Sequence, residues 1–418
     1  MHIWILQTGE PLHIDNSQHR PMRAMNLADY LISQGHQVTI WSSSFFHQAK
    51  KNRVHQNTNF YVNKNLRIKL IYSPGYKKNL SLLRLLDHII LGLNFYKALK
   101  KQSELPDAAF VGFPPMEIAY FAARWFKVKS IPFYIDIKDP WPSHLVDSFP
   151  KKLKLVARII FQPYYAITRY SFKNATGLSA ITKDFLDWAN TLASRKVAKQ
   201  DFVFPLTSQV AKVDAHQLNK EKVWAAKLLG DTSKINFMFV GTINKEHFNW
   251  APIMEAAKHL EKHKINFVIC GDGDAKDALV KKYSHLNNVH FTGHANQSKI
   301  QALSYLCQGG LAPYIDNPTF HNTISNKMLE YLALDLPVLT PLRGGGAMAL
   351  KEKQVAYIYD GESISGLLEC IQTHMLNQDD SNEAKRSPQS VHKEFFSFDT
   401  VYEHAHQQIR SIAMENKA

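Results

Sequence analysis

The chain has 418 residues, 45% of them hydrophobic, which is long enough for two or more folded domains with sizeable cores. Its net charge of +14 is one-sided: residues 1–200 hold 28 Lys and Arg against 12 Asp and Glu, whereas residues 201–418 hold 22 against 24. There is no run of 18 apolar residues, so no membrane-spanning helix is expected, and Cys270, Cys307 and Cys370 follow no metal-ligand spacing and suit a reducing cytosol.

The basic excess of the N-terminal half points to an anionic partner, either a membrane or a nucleic acid. No helix-turn-helix, zinc-finger or RNA-binding motif favours nucleic acid. Ile3 to Leu6 is too short for a signal-peptide core and has no basic start.

His2 to Leu6 reads as a first strand, apolar on both faces as parallel strands are. A polar loop from Gln7 to about Gln18 follows, then a helix from about Pro21 to Ser33 with Met22, Met25, Leu27, Ala28, Leu31 and Ile32 inward. Gly35 ends the helix and Val38 to Trp41 is the second strand. This is a β-α-β unit, with its first loop where ligands of open α/β sheets bind. The loop has no GxGxxG, so a nicotinamide cofactor is not indicated. Arg20 and Arg23, at the helix start, are candidates for meeting an anion or are ordinary first-turn arginines.

Lys77 to Lys101 and Lys151 to Lys173 each read as an amphipathic helix or helix pair with basic ends. Such a pattern suits a helix lying at a membrane surface, or one that packs on a sheet and turns a basic face to water. Ala108 to Gly112 and Phe133 to Ile137 are further strands, the second ending in Lys138-Asp139-Pro140. A carboxylate at the carboxyl end of such a strand faces the ligand crevice, so Asp139 is a general-base candidate; the alternative is a turn-forming Asp before Pro. Gly177 to Ala180 is the next strand, and Thr182 caps the helix after it.

The first domain should finish near residue 205, with a second round of strands from Asn236. Its strands end in Gly241-Thr242, Gly271-Asp272-Gly273 and Thr292-Gly293-His294, as if all the tips approached one ligand. Arg343 to Ala347 has the composition of an anion-binding turn.

Thr323 to Pro341 then reads as one helix feeding one strand. Ser325 or Asn326 caps the start, Met328, Leu329, Leu332 and Ala333 form the apolar face, Asp335 turns the chain, and Val338 to Thr340 is buried. A helix start binds anions through its free N–H groups and its dipole. Lys327 adds a charge there, and Glu330, one turn along, is placed to hold a sugar diol. The alternative is a surface Lys–Glu pair.

With FVGTI (239–243), CGDGD (270–274), VHFTGH (289–294) and SNKMLEYLALDLPVL (325–339) in this order, the second half resembles the donor domain of GT-B glycosyltransferases. The likeness is to the large retaining family with a glutamate, seven residues and a second glutamate. RAMNLADYLISQGHQVTIW (23–41) and IDIKDPWP (135–142) make the first half resemble bacterial O-antigen and capsule sugar transferases.

The resemblance implies an α/β protein of two Rossmann-like domains facing across a cleft: an acceptor domain, 1–205 with about 390–418 returning to it, and a nucleotide-sugar domain, 206–389. It places Glu330 on the ribose hydroxyls and Asn322 where the first glutamate would touch the donor sugar. Thr323, Ser325 and Asn326 would offer backbone N–H groups to the diphosphate, with Lys327 and Lys245 as cations. Gly241 and Thr242 would line the tip, Thr242 standing in place of the usual arginine, and Gly271, Gly273 and His294 would lie beside the base. Lys138 and Asp139 stand at the place of the catalytic segment.

No metal or cofactor is expected. The implied donor is a UDP-sugar, with retained configuration. The expected acceptor is a lipid-diphosphate-linked glycan in cell-surface polysaccharide synthesis. The location would be cytoplasmic, peripheral on the inner face of an anionic membrane. A nucleotide-sugar epimerase of the same fold and a non-catalytic membrane-surface protein are the alternatives.

Overall fold

The computed structural model describes residues 1–15, 20–78, 81–210, 213–230, 233–315, 318–373 and 386–416. The far end of the loop after the first strand, Asn16 to Gln18, lies outside the described residues. The chain divides into two compact units, Met1–Pro205 with Val401–Ala418, and Leu206–Thr400. The return to the first unit thus begins at Val401, about ten residues beyond the expected point, because the helix Pro388–Phe395 packs within the second unit.

The first unit is built on β1 (His2–Leu6), β2 (Gln37–Ser43), β3 (Thr58–Asn63), β4 (Leu66–Ile71), β5 (Ala108–Phe113), β6 (Phe133–Ile137), β7 (Gly177–Ala180) and β8 (Phe202–Val203). They form one sheet in the order β8-β7-β6-β5-β1-β2-β4-β3, parallel except for β3 at the edge. The order turns about β1, so the loops after β1 and β5 diverge at the carboxyl edge and leave a crevice.

Helix α1 (Arg23–Ser33) starts two residues later than expected and buries Ala24, Leu27, Ala28 and Leu31. Arg23 is engaged inside the protein. Its guanidinium is buried, donates to both Asp136 carboxylate oxygens at 2.6 and 2.9 Å, and reaches the Phe204 and Pro205 carbonyls. The pair fastens α1 to β6 and to the segment that leaves the unit. Removing one partner strands a buried charge, so Asp136→Ala should destabilise the first unit by about 3–5 kcal/mol, read in its denaturant transition.

Helix α2 (Leu82–Lys100) is a single helix capped by Ser81. It packs on α3 (Met116–Val128). The segment 151–173 is broken: a 3-10 turn at Lys151–Leu153 leads into α4 (Lys154–Ile160), and α5 (Gln162–Asn174) begins beyond Phe161. Pro163 explains the break, since it lacks an N–H and is tolerated only in a first turn.

The second unit repeats the plan with β9 (Ile235–Val240), β10 (Ile265–Cys270), β11 (Val289–Gly293), β12 (Gly309–Leu311), β13 (Val338–Thr340) and β14 (Ala356–Ile358). All pair in parallel, in the order β11-β10-β9-β12-β13-β14, turning between β9 and β12. One apolar core runs beneath this sheet, with Phe237, Phe239, Phe267 and Met328 fully buried. Helix α6 (Asn326–Ala333) enters beside that turning point. Further along lie α7 (Gly345–Glu352), α8 (Pro388–Phe395) and α9 (Phe398–Glu415).

Candidate functional site

Helix α6 is held by local chemistry that its sequence announces. Ser325 caps it, accepting a hydrogen bond from the Met328 N–H at 3.4 Å, and Asp335 turns the chain at φ 61° in the left-handed region. Met328, Leu329, Leu332 and Ala333 are buried as the periodicity requires. Asn326 is exposed at the helix start, and Asn322, Thr323, Ser325 and Glu330 are half-buried.

Two side chains of α6, four residues apart and so on one face, fix it to the strand tips. The Tyr331 hydroxyl accepts from the Val240 N–H at 2.9 Å and donates to the Leu311 carbonyl at 3.0 Å, joining the ends of β9 and β12. Its ring leaves no room for a side chain at Gly310. Sequence reading missed this residue; an aromatic at i+4 from Lys327 was the available signal. Lys327 turns inward from the helix. Its ammonium donates to the Val240 carbonyl and lies 3.8 Å from the Phe239 ring centre. It occupies the space that a Cβ on Gly241 would take. Burial pushes its pKa down to about 7, while the Glu330 carboxylate beside it pulls the other way. Ser325 and the Tyr314 phenol are hydrogen-bonded, with Glu330 close enough to act on that phenol as well.

The glycines at the tips permit close backbone approach. Gly271, at φ 148°, lies with its Cα against the Gly241 carbonyl, and Gly273, at φ 156°, against the backbone of Ile243. Gly241 donates to the Cys270 carbonyl at 3.0 Å, Ile243 to Asp272 at 2.9 Å and Gly271 to Gly293 at 2.8 Å. The three tips are thereby strapped side by side, with Gly241 meeting Lys327. Thr242, Lys245, Gly273 and His294 project from them into solvent.

The Arg343 to Ala347 turn serves packing as well. A Cβ on Gly344 would strike the His321 carbonyl and one on Gly346 would come within 2.6 Å of the Thr323 carbonyl, so the start of α7 lies directly on the strip carrying Asn322. A cavity of about 350 Å³ opens beside that strip, lined by Tyr314, His321, Arg343 and Asp360 among others.

In the first unit, the carboxyl ends of β1, β2, β5 and β6 converge on a cavity of about 300 Å³. Lys138 and Asp139 both line it. Lys138 pairs with the buried Glu10 at 2.9 Å, and Glu10 also accepts from the Ala24 N–H in the first turn of α1. Burial raises the Asp139 pKa against the pull of His144, Lys138 and Arg84. From α2 come Arg84, Asp87 and His88, and from the loop after β2 comes His47, bonded to the Tyr76 hydroxyl at 2.7 Å. Behind His88, at 3.9 Å, lies Glu117; burial pushes its carboxyl up to about 7 and the imidazole down to about 3. Sequence reading found only Lys138 and Asp139 here. The α2 and His47 contributions arrive from distant segments whose patterns read as plain helix and loop.

Residues 234–377 match the family model described as Glycosyl transferases group 1, a stretch that contains all the glycine tips and α6. The 2-deoxystreptamine N-acetyl-D-glucosaminyltransferase of Niallia circulans is 24% identical over 146 residues, which is 34% of this chain and 35% of that protein. The chain therefore matches only about a third of the length of that curated relative. Over nearly full length it superposes on the Anabaena protein HepE in complex with UDP, with TM-score 0.61, 12% identity and coverage of 98% of this chain and 99% of that one. It superposes likewise on WaaG, a glycosyltransferase involved in lipopolysaccharide biosynthesis, with TM-score 0.58, 14% identity and the same coverage. At these identities the likeness carries the fold, which is GT-B with two Rossmann-like units, as the sequence led one to expect. Together with the family match it supports a glycosyltransferase.

Proposed function

We propose that the protein transfers a sugar from a nucleotide diphosphate sugar, with UDP as the nucleotide, to an acceptor hydroxyl. The observation that carries this reading is the cluster at the start of α6: Lys327 against Gly241, Glu330 one turn on, and the strapped tips of β9, β10 and β11. In it the free N–H groups at the helix start and the Lys327 ammonium meet the diphosphate, and Glu330 accepts from the ribose hydroxyls. Gly271, Gly273 and His294 flank the base, with Thr242 and Lys245 at the outer edge. Asn322, beside the second-unit cavity, faces the donor sugar.

In the transfer, the bond between the anomeric carbon and the diphosphate oxygen breaks, and its electron pair leaves with the nucleotide. The acceptor oxygen bonds that carbon and loses its proton. Preformed donors at the helix start stabilise the charge that develops on the departing diphosphate. Asp139 is the proposed proton acceptor, since a raised carboxyl pKa brings a base closer to the working pH, and Lys138 orients it through the Glu10 pair. We propose retention of configuration and a lipid-diphosphate-linked glycan acceptor at the inner face of an anionic membrane, in cell-surface polysaccharide synthesis. The likeness to WaaG and the basic first unit support this.

The assay is incubation of sugar-labelled UDP-sugars with a bacterial lipid extract. Label should move into the organic phase with matching release of UDP. Conversion of the nucleotide sugar to an epimer without any acceptor would identify the epimerase alternative. Absence of both reactions over a full donor panel would leave the non-catalytic alternative.

A further inference from the structure

Half of the exposed large apolar side chains among the described residues lie in two short stretches of the first unit. On α2, Leu82, Leu86, Ile89 and Leu93 recur at helical spacing along one line and are 83, 50, 42 and 46% exposed, with Leu83 beside them. The opposite face of the same helix is buried through Asp87, His88, Leu91 and Phe95. Helix α2 thus shows apolar side chains to water as well as to the protein, unlike an ordinary surface helix, which turns its polar face outward. On α4, Leu155, Val156, Ile159 and Ile160 are 71, 52, 63 and 66% exposed, and only Ala157 is buried.

Both faces are rimmed by exposed cations: Lys77, Lys78, Lys97 and Lys100 about α2, and Lys151, Lys152 and Arg158 about α4. The one acidic residue of α2, Asp87, is buried and accepts from the Gly75 N–H. Arg84 of α2 stacks over Trp141 at 4.8 Å, and the short helix Ser143–Asp147 that follows packs on α4 through Val146 and Ala157. The two apolar faces therefore flank one corner of the sheet's carboxyl end.

We infer that this corner docks on an anionic phospholipid bilayer, with the leucine and isoleucine faces sunk at the acyl boundary and the lysines level with the lipid phosphates. Apolar side chains sitting among cations, with no exposed acid on either helix, match the two zones of such an interface. A second copy of the chain is a poor occupant, because a two-fold contact would set this basic rim against itself. Docking also assigns a place to the cavity of the first unit. Its α2 wall, formed by Arg84, Asp87 and His88, is the back of the docked helix, so Asp139 stands within reach of an acceptor carried by the membrane. This last step rests on the proposed transfer; the docking itself does not.

The test is co-sedimentation of the full-length protein with vesicles of phosphatidylcholine alone or mixed with phosphatidylglycerol. The parent should bind the mixed vesicles and retain part of that binding near 1 M salt, where screening shortens to about 3 Å and charge alone would fail. Leu82→Ser/Leu86→Ser/Ile89→Ser/Leu93→Ser, and separately Leu155→Ser/Val156→Ser/Ile159→Ser/Ile160→Ser, should each lose at least about tenfold in partitioning. Val128→Ser/Val223→Ser, at exposed apolar sites elsewhere, should bind as the parent does. Unchanged melting and UDP titration certify that the variants are folded. No binding to mixed vesicles at low salt overturns the inference, as does equal binding by the serine variants. So does a parent dimer on size exclusion that the variants lose without any vesicle binding. UDP titration without vesicles separates this from the transfer reading: docking can fail with UDP binding intact, and the reverse.

Discussion

Glu330→Ala is expected to weaken UDP and UDP-sugar binding by roughly 1.5–3 kcal/mol, about ten- to a hundredfold in Kd. Glu330 sits one turn into a helix whose start is pinned to the sheet by Tyr331 and Lys327, so its carboxylate is held at a fixed distance from the anion-binding end. A carboxylate accepting from two adjacent hydroxyls forms charge-assisted bonds, and truncation forfeits both. The side chain is half-buried, so unchanged melting of the variant is the control that the fold survives the change. Glu330 also favours the charged form of Lys327, and its loss would weaken the phosphate contact near neutral pH. Repeating the calorimetric titration at pH 6, where Lys327 is mostly protonated, isolates the ribose contribution. Glu330→Gln should fall between parent and Ala, because it keeps an acceptor without the charge. Unaltered Kd in the alanine variant would remove Glu330 from the site.

The second large effect is on pH dependence. Burial holds the Lys327 amine at about 7 in the free protein, and a diphosphate beside it favours the ammonium and raises that value. Binding therefore takes up a proton at any pH between about 7 and the raised value. Affinity for UDP should rise as pH falls through this window, by up to about tenfold per unit, and level off below about 7. The terminal phosphate of UDP loses its last proton near pH 6, so it contributes nothing to the slope above 7. Calorimetry in two buffers of different ionisation enthalpy counts the proton directly. Lys327→Met should bind UDP more weakly and show a flat profile from pH 7 to 9. A profile of parent slope in that variant would place the titrating group elsewhere.

The parts of this molecule that are legible in its sequence are those fixed by near neighbours. Ser325 as cap, Asp335 as left-handed turn and the buried line of Met328, Leu329 and Leu332 all follow from residues within a few positions of each other. The parallel β-α-β build follows from the alternation of strands and helices alone, whereas the order of the strands does not. The direction of Lys327 was not legible, since its partner is the Val240 carbonyl, 87 positions away in the chain. Arg23 likewise reads as available to an anion, because its partner, Asp136, lies 113 positions on. Periodicity also shows that a helix has an apolar stripe without showing which side the rest of the chain covers. For that reason the outward-facing leucines of α2 emerged only from the fold.

Equilibrium binding of nucleotide diphosphates and their sugars decides whether the start of α6 is a donor site. A melting or calorimetric panel should single out UDP and one or more UDP-sugars, and a ligand at a hundred times its Kd stabilises by about 2.7 kcal/mol. Saturable stabilisation is the expected result, reduced by Glu330→Ala and by Lys327→Met, the latter most strongly at pH 7 and below, where the parent carries the Lys327 ammonium. A panel in which no nucleotide diphosphate or nucleotide sugar changes the melting of the parent would contradict it.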